Sequence, residues 1–457
     1  MLRPTLLVAA LAAAFPAFAD ADLDALRAEL KEMKSSYEAR IQSLEKRLQQ
    51  AETQAAQTPI PAPSPAAAVA ATEPAPQPET ASNRFNPDIS LILQGQYANL
   101  DDIEHRHITG YFPAGHDHGA ARGFSLDHTE LVMSASVDPY FRGYMNLALL
   151  DEEVEIEEAW FQTTSLGNGV SIKGGRFLSG LGYQNVQHPH AWDFADNNLM
   201  YRVLFGEAYG NDGVQLKWVA PTELFIEVGA EAGRGANFPG TDRNKNGAGS
   251  TVVFGHLGDD VGASHSWRAG LSYLQTRARD RDSEIDDLND VEAETLFSGS
   301  SKVWIADFVW KWAPEGNATE QNFKFAAEVF RRTEDGDLLC VDNAADGGAC
   351  MDVTDRYDAT QSGFYAQGVY QFMPRWRTGY RYDRLDSGSV DFGANNAYLP
   401  VSDYSPTRHS LMLDFSPSEF SRFRLQYSKD KSMESVSENQ WFVQYIHSLG
   451  SHGAHSF

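Results

Sequence analysis

Apolar and polar residues alternate in long stretches of this chain. Phe423, Leu425 and Tyr427 alternate with Arg422, Arg424, Gln426 and Ser428. Trp376, Thr378, Tyr380 and Tyr382 alternate with Arg377, Gly379, Arg381 and Asp383, and Leu411, Leu413 and Phe415 with Ser410, Met412 and Asp414. Trp304, Ala306, Phe308, Trp310 and Trp312 form another one-sided row. A period of two predicts β-strands with one apolar face. A soluble sandwich alternates in the same way. Two features point instead to a membrane barrel: segments of about 9–12 residues, enough to cross a bilayer at a tilt, and aromatics near segment ends, where interfacial girdles form.

The connections supply a second test. Strands are predicted near 89–98, 124–136, 140–150, 154–164, 169–177, 212–219, 223–232, 250–256, 265–276, 302–312, 322–333, 362–372, 375–386, 406–415, 420–430 and 438–448. Most even-to-odd connections are short, while the long ones, 99–123, 178–211, 233–249, 277–301, 334–361 and 386–405, run from odd to even. Residues 151–153 break the rule, and 257–264 and 313–321 are intermediate. Short turns on one side and long loops on the other is the outer-membrane pattern. The expected fold is all-β: a transmembrane antiparallel β-barrel of about 16 strands, preceded by a short N-terminal helical coiled coil.

The preceding segments read differently. Arg3, an apolar run and Ala17-Phe18-Ala19 before Asp20 predict a signal peptide over 1–19. Leu23, Leu26, Leu30, Met33, Tyr37, Ile41, Leu44 and Leu48 form a coiled-coil seam, so 20–57 is expected to be a periplasmic self-associating helix. A Pro/Ala-rich linker occupies 58–83, and the barrel 84–457.

Charge then narrows the function. The 457 residues carry 37 Lys plus Arg against 63 Asp plus Glu, a net charge of −26. Such acidity argues against nucleic acid, which needs a basic stripe. Residues 1–83 hold 7 basic and 10 acidic side chains, so the acidity belongs to the barrel. A mean hydropathy of −0.41 beside 12% aromatics excludes helical spans but suits strands with one lipid-facing side.

Candidate pore-lining residues are Arg377, Arg381, Arg422 and Arg424, joined by Arg142 and Arg408, facing an acidic run that includes Glu155 and Glu157. Two readings stand. Segregated charge rows set a transverse field across a pore, or the charges are simply solvated by channel water and an external acidic turn. The segment 177–211 is aromatic for a loop, with Tyr183, Trp192, Asp193 and Phe194 among its members. It is expected to fold into the barrel as a constriction; capping the mouth or packing between subunits is the other reading. His116 and His118, and His188 and His190, are HxH pairs that can each offer two ligands to zinc in extended backbone. Exposed loop histidines are the bland reading, and no cofactor other than zinc is suggested by the sequence. Cys340 and Cys350 are expected to form a disulfide in an oxidising compartment. No GxSxG, phosphate loop or HExxH motif is present, so no enzymatic activity is expected.

Several motifs carry a resemblance. Phe85-Asn86-Pro87-Asp88-Ile89-Ser90, Gly123-Phe124-Ser125-Leu126, Glu157-Glu158-Ala159-Trp160-Phe161, Gly175-Arg176-Phe177 and His190-Ala191-Trp192-Asp193-Phe194 look like a family of proteobacterial outer-membrane proteins. Members are often labelled porin-like or zinc-regulated TonB-dependent receptors, and the architecture is similar to phosphate-selective porins. The chain has no room for a receptor's plug and 22-stranded barrel. The resemblance implies an outer-membrane channel for passive diffusion of small hydrophilic solutes, a homotrimer, and recognition by the barrel assembly machinery through the terminal Phe457. Two alternatives remain: a zinc-linked uptake receptor, and a structural tether whose coiled coil contacts the cell wall.

Overall fold

The computed structural model describes residues 87–103, 106–114, 120–126, 128–136, 138–149 and 154–450. The expected signal peptide, coiled coil, linker, His116, His118 and Phe457 lie outside the described residues. One antiparallel sheet takes in seventeen segments. They are β1 (Asp88–Asn99), β2 (Gly123–Leu126), β3 (Thr129–Ser136), β4 (Phe141–Leu149), β5 (Val154–Thr163), β6 (Val170–Leu178), β7 (Gly210–Val219), β8 (Phe225–Gly233) and β9 (Ser250–Val261). There follow β10 (His265–Asp286), β11 (Glu292–Trp312), β12 (Asn322–Cys340), β13 (Val353–Met373), β14 (Trp376–Asp391), β15 (Thr407–Ser418), β16 (Ser421–Lys431) and β17 (Glu438–Gly450).

β2 and β3 both pair with β1, the first along Gly95–Ala98 and the second along Asp88–Ile92. They are two parts of one strand position, which leaves sixteen positions. β1 also pairs with β17, from Ser90 opposite Gly450 to Asn99 opposite Trp441. The sheet is therefore closed. Closure pairs every strand edge, the condition for β-structure in hydrocarbon.

Side chains sort by parity. Leu93, Val253, Trp304, Phe308, Leu411, Phe423, Leu425, Trp441 and Val443 are exposed on the outer face. Gln94, Gln96, Thr276, Arg332, Arg424, Gln426 and Gln444 are buried on the inner one. A soluble protein would bury the first set and expose the second. Among the described residues no helix is long and apolar enough to cross a membrane; the strands cross it instead.

The connections divide by end of the barrel. Short turns at 138–140, 164–169, 220–224, 262–264, 313–321, 374–375 and 419–420 lie at the end where β1 begins and β17 stops. The expected loops 277–301 and 334–361 are corrected to smaller turns, because β10 to β13 continue through much of them, and 386–405 gives its first six residues to β14. β10 and β11, for example, stay paired up to Asp286 opposite Glu292. The reason lies in the outward residues: Asp280, Asp282, Glu284, Asp335, Asp337 and Arg356 replace the lipid-facing apolar row. Alternating hydrophobicity marks the part of a strand inside the membrane, and these strands leave it.

The two largest apolar clusters among the described residues lie in the interior. One packs Tyr201, Leu204 and Phe205 against inward Val252, Phe254, Leu274, Ile305, Phe330 and Tyr365. The other gathers Phe112, Phe297, Leu338, Tyr357, Phe392 and Leu399 within the tall strands, beside Cys340 and Cys350. The lumen is therefore lined by apolar as well as polar residues.

Candidate functional site

Residues 179–209, between β6 and β7, occupy the barrel interior. Their backbone and side chains bond to inward groups on β4, β5, β10, β12, β13, β14 and β16. A segment that reaches so many walls of a closed sheet from the buried face has to lie inside it. Its single α-helix, α1 (Leu199–Phe205), starts at Asn198, whose side chain accepts from the Tyr201 amide, and ends at Gly206 with φ 71°. Those are ordinary N- and C-terminal caps.

Glu328 on β12 fastens the start of this segment. Its carboxylate accepts from the Tyr183 amide at 2.7 Å, the Gln184 amide at 3.2 Å, the Tyr201 hydroxyl at 3.2 Å and the Tyr365 hydroxyl at 2.6 Å. Gly182 has φ +64°, and a Cβ there would stand 2.3 Å from Glu328 Oε1. Glycine is required on both counts.

The arginine wall fastens the end of the segment. Arg381 donates to the Asp196 carboxylate at 2.9 Å and to its carbonyl at 2.8 Å, and Arg408 pairs with the same carboxylate. Arg424 donates to the Phe194 and Trp192 carbonyls at 2.7 and 2.8 Å and to Asp414 at 2.9 Å. Arg377 bridges Asp414 at 2.5 Å and Asp193 at 3.5 Å, and Lys324 pairs with Asp193 at 2.7 Å. Arg422 lies 3.9 Å from Asp414. Burial raises the Asp196 carboxyl, but the Arg408 and Arg381 guanidiniums outweigh it and hold the group at about 2. These arginines, expected to line the pore, bond to two aspartates of the segment and to Asp414.

A second polar cluster gathers where β3, β4 and β5 meet the same segment. In β5, Glu158 stands opposite Asn146 and Ile156 opposite Leu147, so Glu157 is an extra residue. This β-bulge re-aims a side chain. Two successive glutamates then reach one imidazole: His188 Nδ1 is 3.1 Å from Glu157 Oε2, and Nε2 is 2.9 Å from Glu158 Oε1. His190 Nδ1 lies 2.7 Å from Glu130 Oε1. The His188 and His190 rings stack 6.0 Å apart, so the pair turns toward different carboxylates. Asn146 Nδ2 donates to Glu130 Oε2 and Glu157 Oε2, both at 2.8 Å.

Beside this cluster opens a cavity of about 410 Å³, lined by residues that include His128, Glu155, Glu157, Arg176, His188 and Asp212. Tyr183, Trp192, Asp193 and Phe194 all lie on the internal segment, with Arg268 over the Tyr183 ring at 5.3 Å and Arg381 over Phe194 at 4.7 Å. Arg142 shares the inward parity of Asn146 but is exposed beside the 138–140 turn, away from the arginine wall. Cys340 and Cys350 are bonded, with Cα atoms 5.5 Å apart. Glu130, Asn146, Glu328 and Asp414 are not among the expected site residues, although each stands on the inward parity of its strand and Asp414 already belongs to an alternating row.

A closed antiparallel barrel with an apolar outer face and a folded internal segment defines a transmembrane β-barrel. Its sixteen positions do not fit the 22-stranded receptor label. The chain belongs to one family with an uncharacterized protein of Aquifex aeolicus (strain VF5): the two are 31% identical over 404 residues, 82% of this chain and 80% of that one. No family model matches the sequence. Among solved structures, the chain is similar to Pseudomonas putida OprB at high pH, with 14% identity, 79% of this chain and 94% of that one covered, and a TM-score of 0.48. A loop-deletion mutant of the Vibrio cholerae outer membrane protein OmpT matches at 12% identity, 79% and 99% coverage and a TM-score of 0.47. The outer membrane channel DcaP of Acinetobacter baumannii matches at 11% identity, 79% and 97% coverage and a TM-score of 0.44.

Proposed function

We propose that this barrel is a passive outer-membrane channel for small hydrophilic cations, with residues 179–209 as its constriction. The observation that carries the reading is the placement of the internal segment. It is fastened to the β14–β16 wall, and the cavity lies on the β5–β8 side. The five arginines of the wall, Arg377, Arg381, Arg408, Arg422 and Arg424, are matched by five carboxylates, Asp193, Asp196, Asp383, Asp414 and Asp430. The arginines of the cavity, Arg176 and Arg234, pair with Asp212 and Asp242 at 2.7 and 2.5 Å. Glu155 and Glu157 then set the sign of the lining, and a negative lining concentrates cations.

Planar bilayers with the purified protein and a KCl gradient test this. Discrete conductance steps with a cation-selective reversal potential are expected, and Glu155→Gln should lower the selectivity. Silence from a correctly folded barrel would defeat the channel and leave the tether, whereas anion selectivity would defeat the solute class. The same reading assigns the segments outside the described residues: export by 1–19, trimerisation through a periplasmic coil at 20–57, and assembly signalling by Phe457.

A further inference from the structure

We propose that Glu130, Glu157 and His188 bind one divalent transition-metal cation at the mouth of the lumen, with the Asn146 amide as a fourth group. One ligand atom from each of the three residues lies within 4.8 Å of the other two. Glu130 and Asn146 are fully buried, and Glu157 and His188 are largely so. Two carboxylates this close repel unless a positive group stands between them. At present that place is taken by Asn146 Nδ2, which lies 2.8 Å from Glu130 Oε2, 2.8 Å from Glu157 Oε2 and 3.2 Å from His188 Nδ1.

An amide nitrogen has two hydrogens, and here three potential acceptors converge on it. The other end of the same amide, Asn146 Oδ1, is buried with no hydrogen-bond partner. Exchanging the two ends of an amide changes its shape little. It would present this idle oxygen to the point where the other three donors meet. One imidazole nitrogen and three oxygens make a donor set suited to zinc and its neighbours.

The cluster is built, since the extra residue in β5 is what brings Glu157 inward beside Glu158. Glu158 on His188 Nε2 and His190 on the second Glu130 oxygen supply the outer hydrogen bonds that orient metal ligands. A comparison inside the same barrel shows what is particular here. His256 also lies between carboxylates, but Glu227 meets Nδ1 at 3.0 Å while Asp307 is 3.9 Å from Nε2, on the other side of the ring. Those groups do not converge. Glu157 and His188 also line the cavity, which gives a cation in solution a way to the site.

The test is zinc chloride titration of the full-length folded protein in detergent, by calorimetry and by metal content after gel filtration. Wild type and His256→Ala are expected to hold the same number of zinc ions. His188→Ala and Glu157→Gln are each expected to hold one fewer per chain, or to bind it at least about 10-fold more weakly. Circular dichroism and the mobility shift on heating identify the folded barrel. If His188→Ala fails to fold, Glu157→Gln decides. Unchanged stoichiometry and affinity in folded Glu157→Gln would overturn the site, as would a wild type that retains no zinc. Conductance plays no part in this readout, so a failed channel reading leaves it standing.

Discussion

At the scale of single residues, two buried acids decide where the internal segment sits. Glu328 accepts four hydrogen bonds, and Glu328→Ala would leave two amides and two phenols without their acceptor. Each orphaned donor costs about 1–3 kcal/mol where water cannot replace the lost partner. The Tyr183 and Gln184 amides are therefore expected to exchange hydrogen at least about 10-fold faster in the variant, read by mass spectrometry. Asp196 works through charge. Asp196→Asn would leave Arg381 and Arg408 short of a buried counter-ion, a loss of about 3–5 kcal/mol, to be read by urea unfolding in liposomes. Acid should act in the same way. The folded carboxyl titrates at about 2, below the usual value of about 3.9. Its stabilisation is therefore complete above about pH 4 and is lost as the pH falls through 2. Conductance is expected to stay steady on this account from pH 5 to 8, and Asp196→Asn at pH 7 should behave like the acidified wild type.

Among the elements, strands were legible because lipid imposes a rule on every second residue. All sixteen positions and the order of turns follow from rows such as Phe423, Leu425 and Tyr427. Strand length was not legible above the membrane, because Asp280, Asp282 and Glu284 face water on β10 and carry no apolar signal. The partners of the arginines were equally hidden. Arg381 and Arg424 show the inward parity, but their bonds to Asp196 and the Phe194 carbonyl depend on how a connecting segment folds back. Nor does a sequence announce a bulge: Glu157 and Glu158 read as residues on opposite faces until the register with β4 is known. Deleting Glu157 should restore simple alternation. The barrel is expected to keep its heat-modifiable mobility, since the bulge lies near the start of β5, while the pairing of two carboxylates with His188 disappears.

For the whole molecule, self-association is expected to reside outside the barrel. Removing residues 20–57 should convert an oligomer into a monomer by light scattering in detergent while the strands keep their circular dichroism; an unchanged mass would place the interface on the barrel instead. The wall itself is uneven. β4 to β8 have 9 or 10 residues each, whereas β10 to β13 have 19 to 22. About 9–11 residues cross a bilayer, so one side ends near the membrane surface and the other rises well above it. The rim is then a sill facing a parapet. The cavity with Glu155, Glu157 and His188 lies behind the sill. If the barrel is the channel proposed above, the low side would give a small ion the shorter approach to that cavity, and the tall strands would screen it from a bulky molecule on the other side.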